Sequence, residues 1–121
     1  MKYIYIAGTV LFTVYGQLIV KWRLGIHGAL PETFGAKLYF LLSLFGDFYI
    51  LSGFGAAFVS SLFWMAAMTT TDLSNAYPLI TGGLVLLSTL LAIVFFGEVI
   101  SLYKFLGISL ILLGVYLIHT S

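Results

Sequence analysis

The chain has 121 residues, of which 62% are hydrophobic and only 7% charged, with a formal net charge of +1. A soluble domain carries roughly 25% charged residues, so this composition cannot clothe a water-facing surface and specifies an integral membrane protein; the mean hydropathy of +1.17 agrees. Five basic residues exclude a phosphate-tracking stripe for nucleic acid, and the absence of cysteine excludes disulfides, thiolate chemistry and cysteine-based metal sites.

A spanning helix needs about 20 mostly apolar residues, and four segments qualify: residues 3–22, 48–69, 74–96 and 100–118. The first begins directly after Lys2 and lacks a small-x-small cleavage pattern, so it reads as a span and not as a signal peptide. It carries Tyr5, Thr9, Thr13, Gln17 and Lys21 at four-residue intervals, which places them on one ridge of a helix. Residues 23–36, punctuated by Gly25, Gly28, Pro31 and Gly35, read as a loop. Residues 37–46 are too few to span and too apolar for water. They are expected to lie in the membrane interface, held by Lys37 and Tyr39, with a break near Gly46 and with Asp47 capping the second span. The alternative is one long tilted helix running from residue 37 through the second span.

The second span carries Gly53, Ala56, Ala57, Ser60 and Trp64 on one face, a small-residue packing surface that ends in an interfacial or groove-lining indole. Residues 69–72 allow only a tight turn. The third span opens with Asn75, Ala76, Tyr77 and Pro78, where proline suits the first helical turn, and places Tyr77, Thr81, Leu84 and Ser88 on one face. Gly97 and Glu98 form the last connection, with Ser101 as the N-cap of the fourth span. The three later spans are expected to be antiparallel neighbours in sequence order. Three residues follow the last apolar run, so the expectation is a single transmembrane domain over residues 1–121, all-α, with four transmembrane helices and no appended soluble domain.

The carboxylates are Glu32, Asp47, Asp72 and Glu98, and none falls within a span. Proton-driven antiport through a membrane-embedded carboxylate is therefore disfavoured. No nucleophile–base pair or metal-ligand spacing stands out, so an enzyme, a metal and a cofactor are not expected. Lys21 is the strongest positive candidate: a compact cation with three donors at headgroup depth suits a phosphate oxygen. Gln17, one turn deeper, offers an amide that lipid cannot satisfy, and Thr13 and Thr9 continue inward. Each has a plainer use, since Lys21 could snorkel to the interface and the threonines could bond their own helix. Tyr77, Asn75 and Trp64 are the further candidates for substrate contact, with Tyr77 otherwise an ordinary aromatic-belt residue.

Three stretches resemble the drug/metabolite transporter superfamily. Gly16-Gln17-Leu18-Ile19-Val20-Lys21 is similar to the end of helix 1 in aminoarabinose-lipid flippase subunits. Phe63-Trp64-Met65 with Leu73-Ser74-Asn75-Ala76-Tyr77-Pro78-Leu79 resembles the helix 2–3 junction of EamA-type proteins. Phe95-Phe96-Gly97-Glu98-Val99-Ile100-Ser101, with Gly107 through Gly114-Val115, resembles the signature of the last helix pair. The resemblance implies a small multidrug resistance-like bundle in a bacterial inner membrane. It implies a dimer, homomeric or with a similar small protein, joined through Gly107 and Gly114 of the last helix, and a polyprenyl-phosphate-linked sugar as substrate. Two departures bear on the branch: the first helix lacks the glutamate of the small multidrug transporters, and the first connection is longer than theirs. The lipid-flippase branch is thereby favoured over an exporter of small cations or amphiphiles, the first rival; a non-transporting structural subunit of a membrane complex is the second. The identity of the sugar, the energy source and the partner stay open. Orientation leans on Arg23 and Lys37, with Lys21 and Lys104, against Lys2, which puts the connections inside; with so few charges, insertion in both orientations also stays open.

Overall fold

The computed structural model describes residues 2–120; Met1 and Ser121 lie outside the described residues, as does the side chain of Lys2 used in the orientation argument. Helix α1 spans Lys2–His27, α2 Phe34–Ser43, α3 Phe48–Met68, α4 Leu73–Phe96 and α5 Leu102–Thr120. Four of these, α1, α3, α4 and α5, are long and apolar enough to cross a membrane, and α2 with the 3-10 turn that follows it is the shorter apolar helix before the second of them. The chain is an all-α membrane protein of four spans.

The caps explain where the helices start. The Asp47 carboxylate accepts the Tyr49 N–H at 2.9 Å and opens α3, while the 3-10 turn Leu44–Gly46 closes the preceding helix. The break expected near Gly46 is therefore present, and no continuous helix runs from α2 into α3. The Ser101 hydroxyl accepts the Lys104 N–H at 3.2 Å and opens α5, as its sequence position predicts. Gly97 closes α4 in the left-handed region at φ 64°, where glycine has no Cβ penalty.

Two expectations require correction. The loop expected over residues 23–36 is confined to residues 28–33: α1 runs on through Gly25 to His27, and α2 begins at Phe34 with the Thr33 hydroxyl accepting the Ala36 N–H. A glycine inside a helix costs about 1 kcal/mol, and here that cost is outweighed by tertiary anchors, because Trp22, Arg23 and His27 all engage the start of α3. The chain turns only at Gly28, whose φ of 98° excludes helix. At 26 residues, α1 is roughly 39 Å long, more than a hydrocarbon core of about 30 Å.

The second correction concerns neighbours. Helix α1 is the centre of the bundle, packed principally on α3 and then on α4, whereas α3 and α4 meet only near their shared turn; α5 packs on α4. Sequence order therefore gives spatial order only for α4 and α5. The cause is the small residues of α1. A Cβ on Gly16 would stand 2.7 Å from the Gly53 carbonyl oxygen, and one on Gly8 would stand 2.5 Å from the Phe63 ring. On the other side, Val10 packs onto Gly83. Backbone approach of this kind is how helices associate where no hydrophobic drive separates protein from lipid. The main buried cluster lies toward one end, formed by Ile6, Val10 and Val14 of α1 with Ala67, Ala76 and Ile80 at the α3–α4 junction; Leu44 and Ile50 are buried separately near the start of α3.

The Gly16–Gly53 crossing is open to a direct test. Gly16→Val forces a side chain against backbone and should destabilise the protein by about 1–3 kcal/mol, read as a lowered midpoint in denaturant titration of the detergent-solubilised protein. Gly55→Ala, where a Cβ meets nothing within 4 Å, should be neutral or slightly stabilising.

Candidate functional site

The polar ridge of α1 divides into a packed half and an open half. Thr9 donates to the Tyr5 carbonyl at 2.9 Å, the back-bond open to any threonine in a helix. Thr13 is hydrogen-bonded to Ser60 of α3, and the Ser60 hydroxyl donates to the Thr9 carbonyl at 2.8 Å. Thr9 and Ser60 are buried. These hydroxyls join α1 to α3, and Thr13 reaches only the edge of an open groove of ≈ 530 Å³ that it shares with Gln17, Lys21 and Gly53.

One and two turns further on, the ridge opens. Gln17 and Lys21 line a cavity of ≈ 390 Å³ with Ser88 and Thr89 of α4, Glu98 of the α4–α5 connection and Lys104 of α5. The Gln17 amide finds no hydrogen-bond partner among the described residues. Lys21 donates to Glu98 and lies over the Phe96 ring, its Nζ 5.4 Å from the ring centroid. The Glu98 carboxyl is held below the ordinary carboxylate range by the hydrogen bond and charge of Lys21, against partial desolvation and with help from Lys104. With two lysines and one glutamate, the cavity is net cationic.

A second cluster fixes this end of the bundle. Arg23 Nε donates to Asp47 Oδ2 at 2.6 Å, and His27 Nε2 lies 2.8 Å from the same oxygen. The Arg23 guanidinium lies 5.0 Å from the Trp22 ring and 4.9 Å from that of Tyr49, which meet edge to face. Burial pushes the Asp47 carboxyl up, but the hydrogen bonds from His27, Arg23 and the Tyr49 N–H outweigh it and hold the group at about 2.

The other predicted contacts lie elsewhere. Trp64, near the end of α3, and Asn75 and Tyr77, at the start of α4, are exposed at the opposite end of the bundle. From Tyr77 to Phe96, α4 rises roughly 28 Å, so Tyr77 and Lys21 cannot hold one headgroup together. Gly107 and Gly114 face open space, with nothing within 4 Å of an added Cβ. Glu98 and Lys104 as cavity residues were missed by sequence reasoning, and a signal was available: in a four-span chain the end of the first span and the third connection lie on one side, which brings Lys21, Glu98 and Lys104 to the same level.

The fold and this cavity define a small multi-spanning membrane protein with a cation-lined groove at one end. No protein-family model matches the chain, and no solved structure matches it significantly. Among curated proteins, it is 33% identical over 117 residues, covering 96% of this chain and 78% of the relative, to the probable 4-amino-4-deoxy-L-arabinose-phosphoundecaprenol flippase subunit ArnF of Aeromonas hydrophila. It is 32% identical over 114 residues, 92% of this chain and 94% of the relative, to the probable ArnE subunit of Pseudomonas syringae. It is 31% identical over 91 residues, 74% of this chain and 78% of the relative, to the multidrug resistance protein EbrB of Bacillus atrophaeus. The chain belongs to the ArnE/ArnF flippase-subunit family, within the wider small multidrug resistance-like group, and is a multi-pass protein of the bacterial inner membrane.

The Asp47 cluster yields a pH prediction. Because the folded-state pKa of about 2 lies below the ordinary 3.8, the carboxylate contributes stability that is complete above the ordinary value and lost as pH falls through the folded one. Tryptophan fluorescence, reporting Trp22 as well as Trp64, should show wild-type protein loosening as pH falls from about 4 toward 2. Asp47→Asn should be less stable at neutral pH and should lack that share of the acid dependence.

Proposed function

We propose that the chain is one subunit of a dimeric flippase that moves a polyprenyl-phosphate-linked sugar across the inner membrane, with the headgroup phosphate received by Lys21. The observation that carries this reading is the cationic cavity: Lys21, the unpartnered Gln17 amide and Lys104 open onto one space at the end of the bundle. A lysine ammonium there meets a phosphate at headgroup depth, while the isoprenoid chain stays in the bilayer. Gln17 offers donors and an acceptor to the sugar or phosphate, and Thr13 borders the adjoining groove. Further support comes from relatives whose names specify a phosphoundecaprenol-linked sugar as cargo.

Trp64, Asn75 and Tyr77 then act at a different stage, receiving the headgroup at the far side after transit. The basic residues Lys21, Arg23, Lys37 and Lys104 favour placing the cavity end at the cytoplasmic face, with α2 lying along that interface. A single bundle supplies only one wall of a path. The outer surface of α5, with Gly107 and Gly114 uncovered, is the surface for a second subunit, either another copy or a similar small protein. The likeness to a multidrug resistance protein supports export of small amphiphiles as the second reading; the lack of a carboxylate within the spans weighs against its proton-coupled form.

Replacing Lys21 separates these readings. A hydrogen bond to a charged group contributes about 1.5–3 kcal/mol, so Lys21→Met should slow headgroup flipping in proteoliposomes at least about tenfold. Unchanged flipping removes the phosphate role of Lys21, and export of a cationic dye without lipid flipping favours the exporter. For the interface, Gly107→Trp should convert dimer to monomer in native mass spectrometry while leaving helical content unchanged, since a Cβ added there meets nothing within 4 Å in one subunit.

A further inference from the structure

The ion pair between Lys21 and Glu98 lines the cavity that the flippase reading assigns to the lipid phosphate. Its side chains are 59% and 41% exposed, so neither charge is sealed in place. A pair in so open a setting has little net strength and exchanges readily for another anion. The surroundings favour exchange over fixation. Lys21 keeps the Phe96 ring as a second contact, so its position does not depend on the carboxylate alone. Glu98 follows Gly97, whose left-handed backbone ends α4, and residues 97–101 belong to no helix. The carboxylate can therefore swing aside without breaking helical hydrogen bonds. Lys104 lines the same cavity and has no ion-pair partner among the described residues.

We propose that Glu98 is an exchangeable internal counter-ion: it occupies Lys21 in the empty protein and yields that position to a lipid phosphate, with Lys104 as the second cation of the loaded site. This rests on the reading of the cavity as a headgroup site and adds a role for Glu98. A carboxylate and a phosphate oxygen compete for the same ammonium donors, so Glu98 weakens capture and speeds release. A flippase needs both, because a lipid held too tightly at one face is not delivered to the other. Glu98 acts through Lys21 and is a positioning residue.

The test is equilibrium binding to the purified full-length protein in nanodiscs, using decaprenyl phosphate, decaprenol and inorganic phosphate as probes. Glu98→Gln should bind decaprenyl phosphate about fivefold more tightly than wild type, the scale of an exposed ion pair, with decaprenol unchanged. Glu98→Asp, which keeps the charge, should stay near wild type. Lys21→Met should bind more weakly, and adding Glu98→Gln to it should restore nothing, a coupling that a merely structural glutamate would not produce. If Glu98→Gln fails to gain affinity while Lys21→Met still loses it, the counter-ion role is overturned and the headgroup site survives. If wild type fails to distinguish decaprenyl phosphate from decaprenol, the headgroup reading itself falls, and the counter-ion role with it. Competition by inorganic phosphate at concentrations comparable to the lipid would assign the site to free phosphate and overturn the lipid proposal.

Discussion

Within hydrocarbon, a polar group must be satisfied by protein or open onto water, and that requirement sorts the polar ridge of α1 into two parts with different work. Thr9 and Thr13 are satisfied within the protein: one bonds its own helix, and the other links to Ser60, which returns a bond to the α1 backbone. Gln17 and Lys21 are not absorbed by packing and border open space instead. The glycines of α1 act with the first part. Gly8 and Gly16 bring α3 close enough for those hydroxyl bonds to form, so backbone proximity and hydroxyl chemistry hold one interface jointly. Helix α1 is central because its own glycines admit α3 while its Val10 seats against Gly83 of α4; α4 in turn admits Val115 of α5 at Gly82.

Features set by local chemistry were legible in the sequence. Span number follows from apolar run length, and the helix starts at Asp47 and Ser101 follow from residues that cap with their own side chains. The double role open to the threonines was also legible, since a hydroxyl in a helix has only a few partners within reach. What escaped was non-local. Gly25 has the look of a breaker until Arg23 and His27 meet Asp47, about 20 residues away in the chain, and hold the final turn of α1 in place. Glu98 has the look of a turn residue until the end of α1 is brought beside it. The neighbour order was missed because tight turns constrain the ends of α3 and α4, whereas the inserted α1 decides what lies along their lengths.

The uneven packing of the bundle has a functional counterpart. Toward the α3–α4 turn, the interior is filled by Ile6, Val10, Val14 and Ile80 with the fully buried Ala67 and Ala76. Toward the other end, side chains such as Phe96, Ile93 and Ile108 border open volume with the polar groups. A packed end and an open end in one bundle would give the proposed headgroup site its room without a large protein around it. The Arg23–Asp47–His27 cluster ties the end of α1 to the start of α3, whereas toward α4 the end of α1 is held by the exposed Lys21–Glu98 pair.

That arrangement bears on how a phosphate could be moved without a carboxylate buried in a span. A proton-coupled carrier gains its switch from a group whose charge changes within the membrane; here the carboxylates lie outside the spans, and the mid-span ridge holds only hydroxyls and an amide. On the flippase proposal, the charge of the cargo would be met at the surface and handed inward to neutral donors. An ammonium whose counter-ion is replaceable meets the first need, because exchanging one anion for another leaves Lys21 paired before and after the exchange. A tightly buried ion pair would fail, since removing either partner from low dielectric leaves an unpaired charge and a penalty of several kcal/mol. Partial exposure of the Lys21–Glu98 pair suits the proposed exchange: the pair is weak enough to open, yet it offsets one of the two cavity lysines when no other anion is present.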